Sequence, residues 1–397
     1  MCLTAHWVDS DWILQKRIIN FRQVANHKGE TIGRCVESWL LEWGIEKIFT
    51  LTADNASSNN TAIEELKRKT KRWKHIILDN EFLHVRCCAH ILNLVVRDGL
   101  DEEVCSITRT RNAVRYVRSS PARLLSFQKC VEKEKLETKK NLCLDVETRW
   151  NSTYLMLEIT EKYEKAFVRM GEDDSKYASY FDGSSDNKDP PSDYDWLKAR
   201  IFVKFLKIFY QVTLKFSGSL YVTSNIFFHE IVEIHANLSN LMSSGDMLLS
   251  RMAERMKLKF EKYWENYKNI NFLLYIAVVL DPRFKLRYVQ FCFSQLYDNR
   301  KCTEMIMYVE TALNKLFANY EQEHSKEQGN FNHSDVQDKN VVGCENSTTM
   351  AAKFLEQMRE DDQQDSKSDL YIIDDLEIIE ELAGEFVCLN LDEDLDG

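Results

Sequence analysis

A chain of 397 residues with 44% hydrophobic and 29% charged residues has a globular composition, which excludes global disorder. Four prolines and 12 glycines also exclude collagen-like and proline-rich proteins. The formal charge of −11 argues against a nucleic-acid partner only if it is evenly spread. It is not: residues 361–397 hold 14 acidic residues and one lysine, a local charge of −13, and the preceding 360 residues carry +2. The acidic tail therefore hides a slightly basic body.

The cysteines and the hydropathy pattern bear on the compartment. Eleven cysteines follow no framework spacing in a chain too long to need disulfide staples, so we expect reduced thiols. No secretory signal pattern opens the sequence, and no stretch of about 18 apolar residues suggests a membrane span. We expect a nuclear or cytosolic protein that does not bind membranes.

The first 60 residues alternate between strand and helix patterns. Residues 3–8 and 12–24 predict a hairpin around a turn at residues 9–11. A helix ending at Gly44 follows, and residues 47–52 then predict a short buried strand. The predicted helix carries its apolar residues on one face, namely Ile32, Val36, Trp39, Leu40 and Trp43.

A second helix is predicted from about Thr61 to Trp73, with Asn60 as its N-cap. Residues 82–86 predict another strand, which leads into a helix at residues 91–96. The region is therefore a mixed α/β layer in which an antiparallel hairpin leads into parallel strands.

Beyond residue 100 the pattern is almost entirely helical, with long apolar faces near residues 201–209 and 252–267. We therefore predict an α/β domain at residues 1–100, a helical domain at 101–320, and a disordered linker with an acidic tail at 321–397.

Asp54 follows the predicted strand at residues 47–52 and opens a polar stretch. An acidic residue at the carboxyl end of a strand, beside the start of a helix, lies where open α/β sheets bind ligands. Divalent metal catalysis of phosphoryl transfer needs two or three such carboxylates together. The alternative is that Asp54 forms an Asx-turn or a helix cap, as Asp/Asn/Ser runs commonly do.

Cys87, Cys88 and His90 suggest a zinc site, but structural zinc needs four ligands and no second pair follows at a suitable spacing. The alternative is a buried cysteine pair with a hydrogen-bonded histidine.

Arg149 and Trp150 place a cation beside an aromatic plane, a combination that stacks on unpaired or flipped bases and neutralises phosphate. The alternative is that Trp150 fills the core while Arg149 pairs with an acid.

A dense run of cations also stands at the end of the second predicted helix. This basic run could follow phosphates, act as a localisation signal, or form a solvated helix face. Its cations are Lys67, Arg68, Lys69, Lys71, Arg72 and Lys74.

Several segments in order together resemble plant hAT-superfamily transposases of the zinc-finger BED-domain type. They are His6–Trp12, Leu51–Asn60, Arg86–Leu94, Asp145–Tyr154 and Ala277–Lys285. The resemblance covers roughly residues 2–320. It implies a ribonuclease H-like mixed sheet interrupted by a large helical insertion, and cut-and-paste DNA transposition by an acidic triad holding a divalent metal.

The resemblance assigns roles to individual residues. It maps Asp54 onto the second acid of the triad, and Cys87 and His90 onto a Cys-x-x-His motif near the active site. It places Arg149 and Trp150 on an Arg-Trp pair that contacts the transposon end, with the tryptophan stacked on a base.

Other parts of the family pattern are not recognisable. The first acid and its strand would precede Met1, the segments that carry the third acid and the dimerisation region are not matched, and no BED zinc finger is seen. We therefore expect a catalytically incomplete, transposase-derived nuclear protein that binds DNA. Mg²⁺ or Mn²⁺ is expected at Asp54 only if further acids converge there, and the resemblance does not support dimerisation.

Two alternatives stay open. The helical domain and the acidic tail could form a protein-interaction module, or the chain could be an active metal-dependent transposase or nuclease.

Overall fold

A computed structural model describes residues 1–73, 77–138, 140–181, 189–218, 221–266, 269–327 and 387–392, with side chains described outside 323–327 and 387–392. Its strands are β1 (Cys2–Val8), β2 (Leu14–Phe21), β3 (Ile48–Ala53), β4 (His84–Arg86) and β5 (Val387–Asp392). Its helices are α1 (Gly29–Glu42), α2 (Ser57–Thr70), α3 (Cys88–Leu100), α4 (Val104–Arg118), α5 (Pro121–Lys133), α6 (Trp150–Thr160), α7 (Glu164–Asp173), α8 (Ser175–Phe181), α9 (Asp193–Phe216), α10 (Ser224–Met242), α11 (Met247–Trp264), α12 (Leu273–Val279), α13 (Lys285–Leu296) and α14 (Asn299–Glu327).

The five described strands form one sheet in the order β2-β1-β5-β3-β4. β1 is antiparallel to β2 and to β5, whereas β3 is parallel to β4 and to β5. The predicted hairpin is present, and its turn is held by the Asp9 carboxylate, which accepts the backbone N–H groups of Asp11 and Ile13 at 3.1 and 2.9 Å.

The position of β5 differs from what the sequence led us to expect. This central strand lies within residues 321–397, where we predicted a linker and an acidic tail. The alternating Val387, Leu389 and Leu391 are a strand pattern, but the dense acids on both sides obscure it. Residues 328–386 and 393–397 lie outside the described part of the chain.

Helices α1 and α2 pack against one another and cover the core of the sheet. Of the predicted apolar face of α1, Ile32, Val36, Trp39 and Leu40 are buried. Trp43 is instead 59% exposed, and its indole N–H donates to the Ile19 carbonyl at 2.7 Å. Gly44 follows the helix with a φ of +65°, as predicted for a residue that ends it.

The predicted start of α2 was wrong by four residues. The helix begins at Ser57 with Ala56 as its N-cap, rather than near Thr61 with Asn60 as the cap. The Asp54 carboxylate accepts the Ala56 N–H, and the Asn60 N–H already bonds the Ala56 carbonyl. The polar run that resembled a loop is therefore the first turn of the helix.

The chain divides into two compact units. The first comprises residues 1–91, 215–237 and 261–397 and contains the sheet, and the second comprises residues 92–214 and 238–260 and is helical in its described part. The second unit has an aromatic core that includes Tyr116, Tyr177, Trp196 and Phe202. None of the described helices is both long and apolar enough to cross a membrane.

Candidate nucleic-acid interface

Asp54 lies immediately after β3, at the carboxyl edge of the sheet, as its position in the sequence predicted. Its Oδ1 accepts the Ala56 N–H at 2.7 Å and the Asn59 side-chain amide at 2.8 Å. Asn59 is fully buried, so this pair fixes the entry into α2. Asp54 therefore forms the Asx-type turn that was the structural alternative to a catalytic role. Its Oδ2 accepts no hydrogen bond from the described residues.

Arg86 is a second charged group at this edge, and the catalytic and DNA-contact assignments did not include it. It ends β4 in register with Ala53, the residue before Asp54. Its Nη1 donates to the side-chain oxygens of Asn55 and Asn60 at 3.1 and 3.3 Å. Burial lowers the pKa of Arg86 from its usual value, yet a guanidinium remains charged in proteins.

His84 lies two residues before Arg86 on β4. Burial, together with the Arg86 charge, lowers the pKa of His84 to about 4, so the imidazole is neutral at physiological pH. Its Nε2 is buried without a hydrogen-bond partner among the described groups. Because His84 is neutral, Arg86 supplies the positive charge beside Asp54. The signal that could have identified it is its position at the end of the strand beside Asp54.

The described side chains do not by themselves form a divalent-cation site. Nowhere in the described ranges do three or more His, Cys, Asp or Glu side chains come together in a suitable cluster. Asp54 offers one carboxylate, of which one oxygen is already used in the turn. Two-metal chemistry needs further carboxylates, so we assign no catalytic step to this edge.

Cys87 and His90 lie at the start of α3, with Cys88 beside Cys87. The Cys87 N–H donates to the Ala53 carbonyl at 2.9 Å, which joins this segment to the end of β3. Cys88 donates its thiol to the Arg86 carbonyl at 3.6 Å, and burial raises the pKa of this thiol. Burial therefore favours the neutral thiol of Cys88 over the thiolate that nucleophilic chemistry needs.

The basic run divides into paired and unpaired cations. Lys67 and Arg68 pair with acids of the same helix, Glu64 and Glu65, at 3.1 and 2.7 Å. Lys69 pairs with Glu37 on α1 at 3.3 Å.

Lys71 and Arg72, just beyond the end of α2, are exposed and form no ion pair with a described residue. These two residues, referred to below as the basic tip, are therefore the part of the run most available to phosphate. Lys74 lies outside the described residues.

Arg149 and Trp150 belong to the second unit. Arg149 is exposed at the N-cap of α6 without an ion-pair partner among the described residues. Trp150 is only 3% exposed and packs edge-on against Tyr154, with ring centroids 6.5 Å apart. In this conformation the indole is part of the core, so contact with a base stays a prediction that requires it to move.

The segment before this pair is fixed by Asp145, which the candidate-site assignments did not include. Both Asp145 oxygens accept bonds from Arg111, at 2.7 and 2.8 Å, and one also accepts the Thr153 hydroxyl at 2.7 Å. Burial disfavours the ionised carboxylate, but these bonds hold its pKa below the usual value. The sequence could not have identified Arg111 as the partner of Asp145, because the two residues are 34 positions apart.

Three family models match successive parts of the chain. Residues 1–82 match the ZBED1 RNase-like domain, residues 85–205 match the ZBED1 RNase-like helical domain, and residues 225–320 match the hAT-like transposase domain of RNase-H fold. The predicted family resemblance is thereby confirmed for the region that carried it.

Individual relatives agree with this assignment. The chain is 35% identical over 302 residues to a protein named as an AC transposase of Zea mays, covering 75% of this chain and 36% of the relative. It is 32% identical over 321 residues to zinc finger BED domain-containing protein RICESLEEPER 2 of Oryza sativa subsp. japonica, covering 80% and 42%. It is 28% identical over 320 residues to DAYSLEEPER of Arabidopsis thaliana, covering 80% and 44%.

The chain thus spans about two-fifths of the length of these relatives. It carries the RNase-like and helical domains of hAT-type transposases and is a homologue of the plant AC transposases and of the RICESLEEPER and DAYSLEEPER proteins.

Proposed function

We propose that the protein is a transposase-derived DNA-binding protein of the plant nucleus that lacks a complete catalytic site. The relationship to transposases supplies the class of partner, and the basic tip carries the proposal. Because Lys71 and Arg72 are exposed without acidic partners among the described residues, their charges are available to release counterions from a DNA backbone. Arg149 adds a third exposed cation in the second unit.

The paired cations of the same run contribute less. Lys67, Arg68 and Lys69 already neutralise acids of this protein, so a phosphate would have to compete with those acids. The expected interaction is therefore weak, electrostatic and independent of sequence, and it falls as salt is added.

The experiment is fluorescence anisotropy with a labelled duplex over a series of salt concentrations. The logarithm of the DNA-binding constant falls as the logarithm of the salt concentration rises. The double variant Lys71→Ala/Arg72→Ala should make this negative slope less steep by about 2, because each of the two cations neutralises one phosphate. The double variant Glu64→Ala/Lys67→Ala is the matched control, because it removes an ion pair from the same helix without changing net charge. An unchanged slope in the first variant, or the absence of salt-dependent binding at low ionic strength, contradicts the proposal.

A second candidate, metal-dependent DNA strand transfer, is favoured by one observation. β5 runs parallel to β3, and Asn390 is in register with Thr52. Asp392 and Asp54 each follow that pair by two positions. Calorimetric titration with Mn²⁺ tests this candidate: saturable binding that is lost in Asp392→Asn would favour it, and no binding by the unmodified chain would remove it.

A further inference from the structure

We propose that the gap between β1 and β3 is a strand-receiving slot, and that residues 387–392 of the same chain fill it as a separable closing strand. β1 pairs with β2 along one edge, and β3 pairs with β4 along one edge. The other edge of β1 and the other edge of β3 face one another. The space between them holds one strand, which is β5. β5 is the only described strand that joins the antiparallel pair to the parallel pair.

The pairing uses both edges of the incoming strand. On one side, Cys2–His6 of β1 are antiparallel partners of residues 388–392. On the other side, β3 is a parallel partner from Ile48 paired with Val387 to Thr52 paired with Asn390. The backbone of such a strand forms hydrogen bonds to a neighbour on each side. A proline in its middle would lack the N–H group that one of these bonds needs, so the strand does not tolerate it.

The two strands that flank the slot carry the core of the first unit. Leu3 and Ala5 on β1, and Leu51 and Ala53 on β3, are buried in one cluster with residues of α1 and α2. Adjacent strands lie about 4.8 Å apart, so β1 and β3 are about 9.6 Å apart and cannot pair directly. Without β5, two strand edges above this core would be left unpaired, and such edges recruit other strands.

The occupant is a strand of the same chain. The structure places residues 387–392 in the slot, and residues 328–386 could span roughly 190 Å if fully extended, so chain length does not limit docking. Tethering also gives the strand a far higher effective concentration at the slot than a strand from a second copy has in dilute solution.

The first experiment compares two proline variants of the full chain by hydrogen exchange. Leu389→Pro should speed the exchange of amides in β1 and β3, because it removes a ladder hydrogen bond in the middle of β5. Asp394→Pro, two residues beyond β5, is the control and should leave exchange in both strands unchanged. Equal protection in Leu389→Pro and the unmodified chain overturns the proposal.

A second experiment remains decisive if Leu389→Pro does not fold. A site for a specific protease is introduced within residues 328–386 of the otherwise unmodified chain and cut in the folded state. The C-terminal fragment should stay bound through native gel filtration and should be displaced by excess synthetic peptide of residues 385–397. Immediate loss of the fragment overturns the proposal. A dimer by light scattering that exchanges fragments between copies also overturns it, because the slot would then be filled by a second chain.

Docking of residues 387–392 between β1 and β3 does not depend on DNA binding. A chain that binds DNA but releases its C-terminal fragment after cutting would contradict only the proposal for the closing strand. A chain that retains the fragment but does not bind DNA would contradict only the proposed function.

Discussion

Asp145 and Arg111 form a buried ion pair that connects α4 to the segment before α6. The Asp145 side chain is fully buried and the Arg111 side chain is 10% exposed. The carboxylate accepts two bonds from the guanidinium and one from Thr153, so its acceptor sites are well satisfied. The pair therefore holds the backbone that leads to Arg149 and Trp150.

Replacing Asp145 with alanine should lower the free energy of unfolding by about 3 kcal/mol, because the largely buried Arg111 guanidinium would lose its buried partner and keep only the exposed Glu147. Urea unfolding measures the change. Glu147→Ala is the matched control: Glu147 lies 3.7 Å from the same guanidinium but is 65% exposed, so its loss should change stability by less than about 0.5 kcal/mol. Equal losses in the two variants would contradict the central role of Asp145.

The same pair has a pH dependence of known sign. Folding lowers the pKa of Asp145 below its ordinary value of 3.8. The contribution of the ionised carboxylate to the free energy of unfolding is therefore fully present above pH 3.8, and it is lost as the pH falls through the lowered pKa of the folded state. At the residue scale, the sequence identified the segment that contains Asp145 but not the residue that anchors it, because Arg111 lies on α4, far away in the sequence. It also left Asp54 open between a metal ligand and a turn, a choice that depends on which donors surround its oxygens.

At the scale of elements, α1 and α2 meet through two glycines on one face of α1. A methyl group at Gly29 would lie 2.4 Å from the Ser58 carbonyl oxygen, and one at Gly33 would lie 2.7 Å from the Ala62 carbonyl oxygen. Backbone atoms cannot yield as flexible side chains do, so the distance between the helices depends on both glycines.

Gly29→Ala should therefore destabilise the first unit by about 1–3 kcal/mol, although alanine is the better helix former, because it would force α1 away from α2. Thermal unfolding monitored by circular dichroism gives the change. Gly245→Ala is the control, since a methyl group there meets nothing within 4 Å, and it should be neutral or slightly stabilising. A Gly29→Ala protein that melts at the unmodified temperature would show that the two helices can separate without cost.

The apolar face of α1 was predictable because its spacing lies in one stretch of sequence. The closeness of the two helices was not, since it depends on which residues of α2 the glycines meet. The start of α2 was missed for a related reason: the Asp54 and Asn59 side chains satisfy the turn before the helix, so a polar run became helical.

At the scale of the whole molecule, charge is divided between a slightly basic body and an acidic C-terminal segment. The acids attached to the body should repel DNA and weaken its binding at low salt. The sequence revealed this division, but it did not reveal that part of the acidic segment completes the sheet. A strand that pairs with residues more than 300 positions away leaves only a faint local pattern.

Replacing the acidic residues of 361–385 with asparagine or glutamine, while keeping 387–392 intact, should strengthen DNA binding at low salt. The effect should shrink as salt rises, because screening removes long-range repulsion. Anisotropy titrations at two salt concentrations measure it. Substituting the same number of uncharged residues in that segment is the control, and an affinity that does not respond to the charge change would contradict the prediction.

The central position of β5 has a consequence for how the chain folds. It follows every other described element in chain order, yet it pairs with the first strand. Contacts of such long sequence separation form slowly, because the loop must close before any pairing stabilises it. During synthesis, β1 to β4 emerge long before their central neighbour, so their open edges must be kept from pairing wrongly until the last described strand arrives.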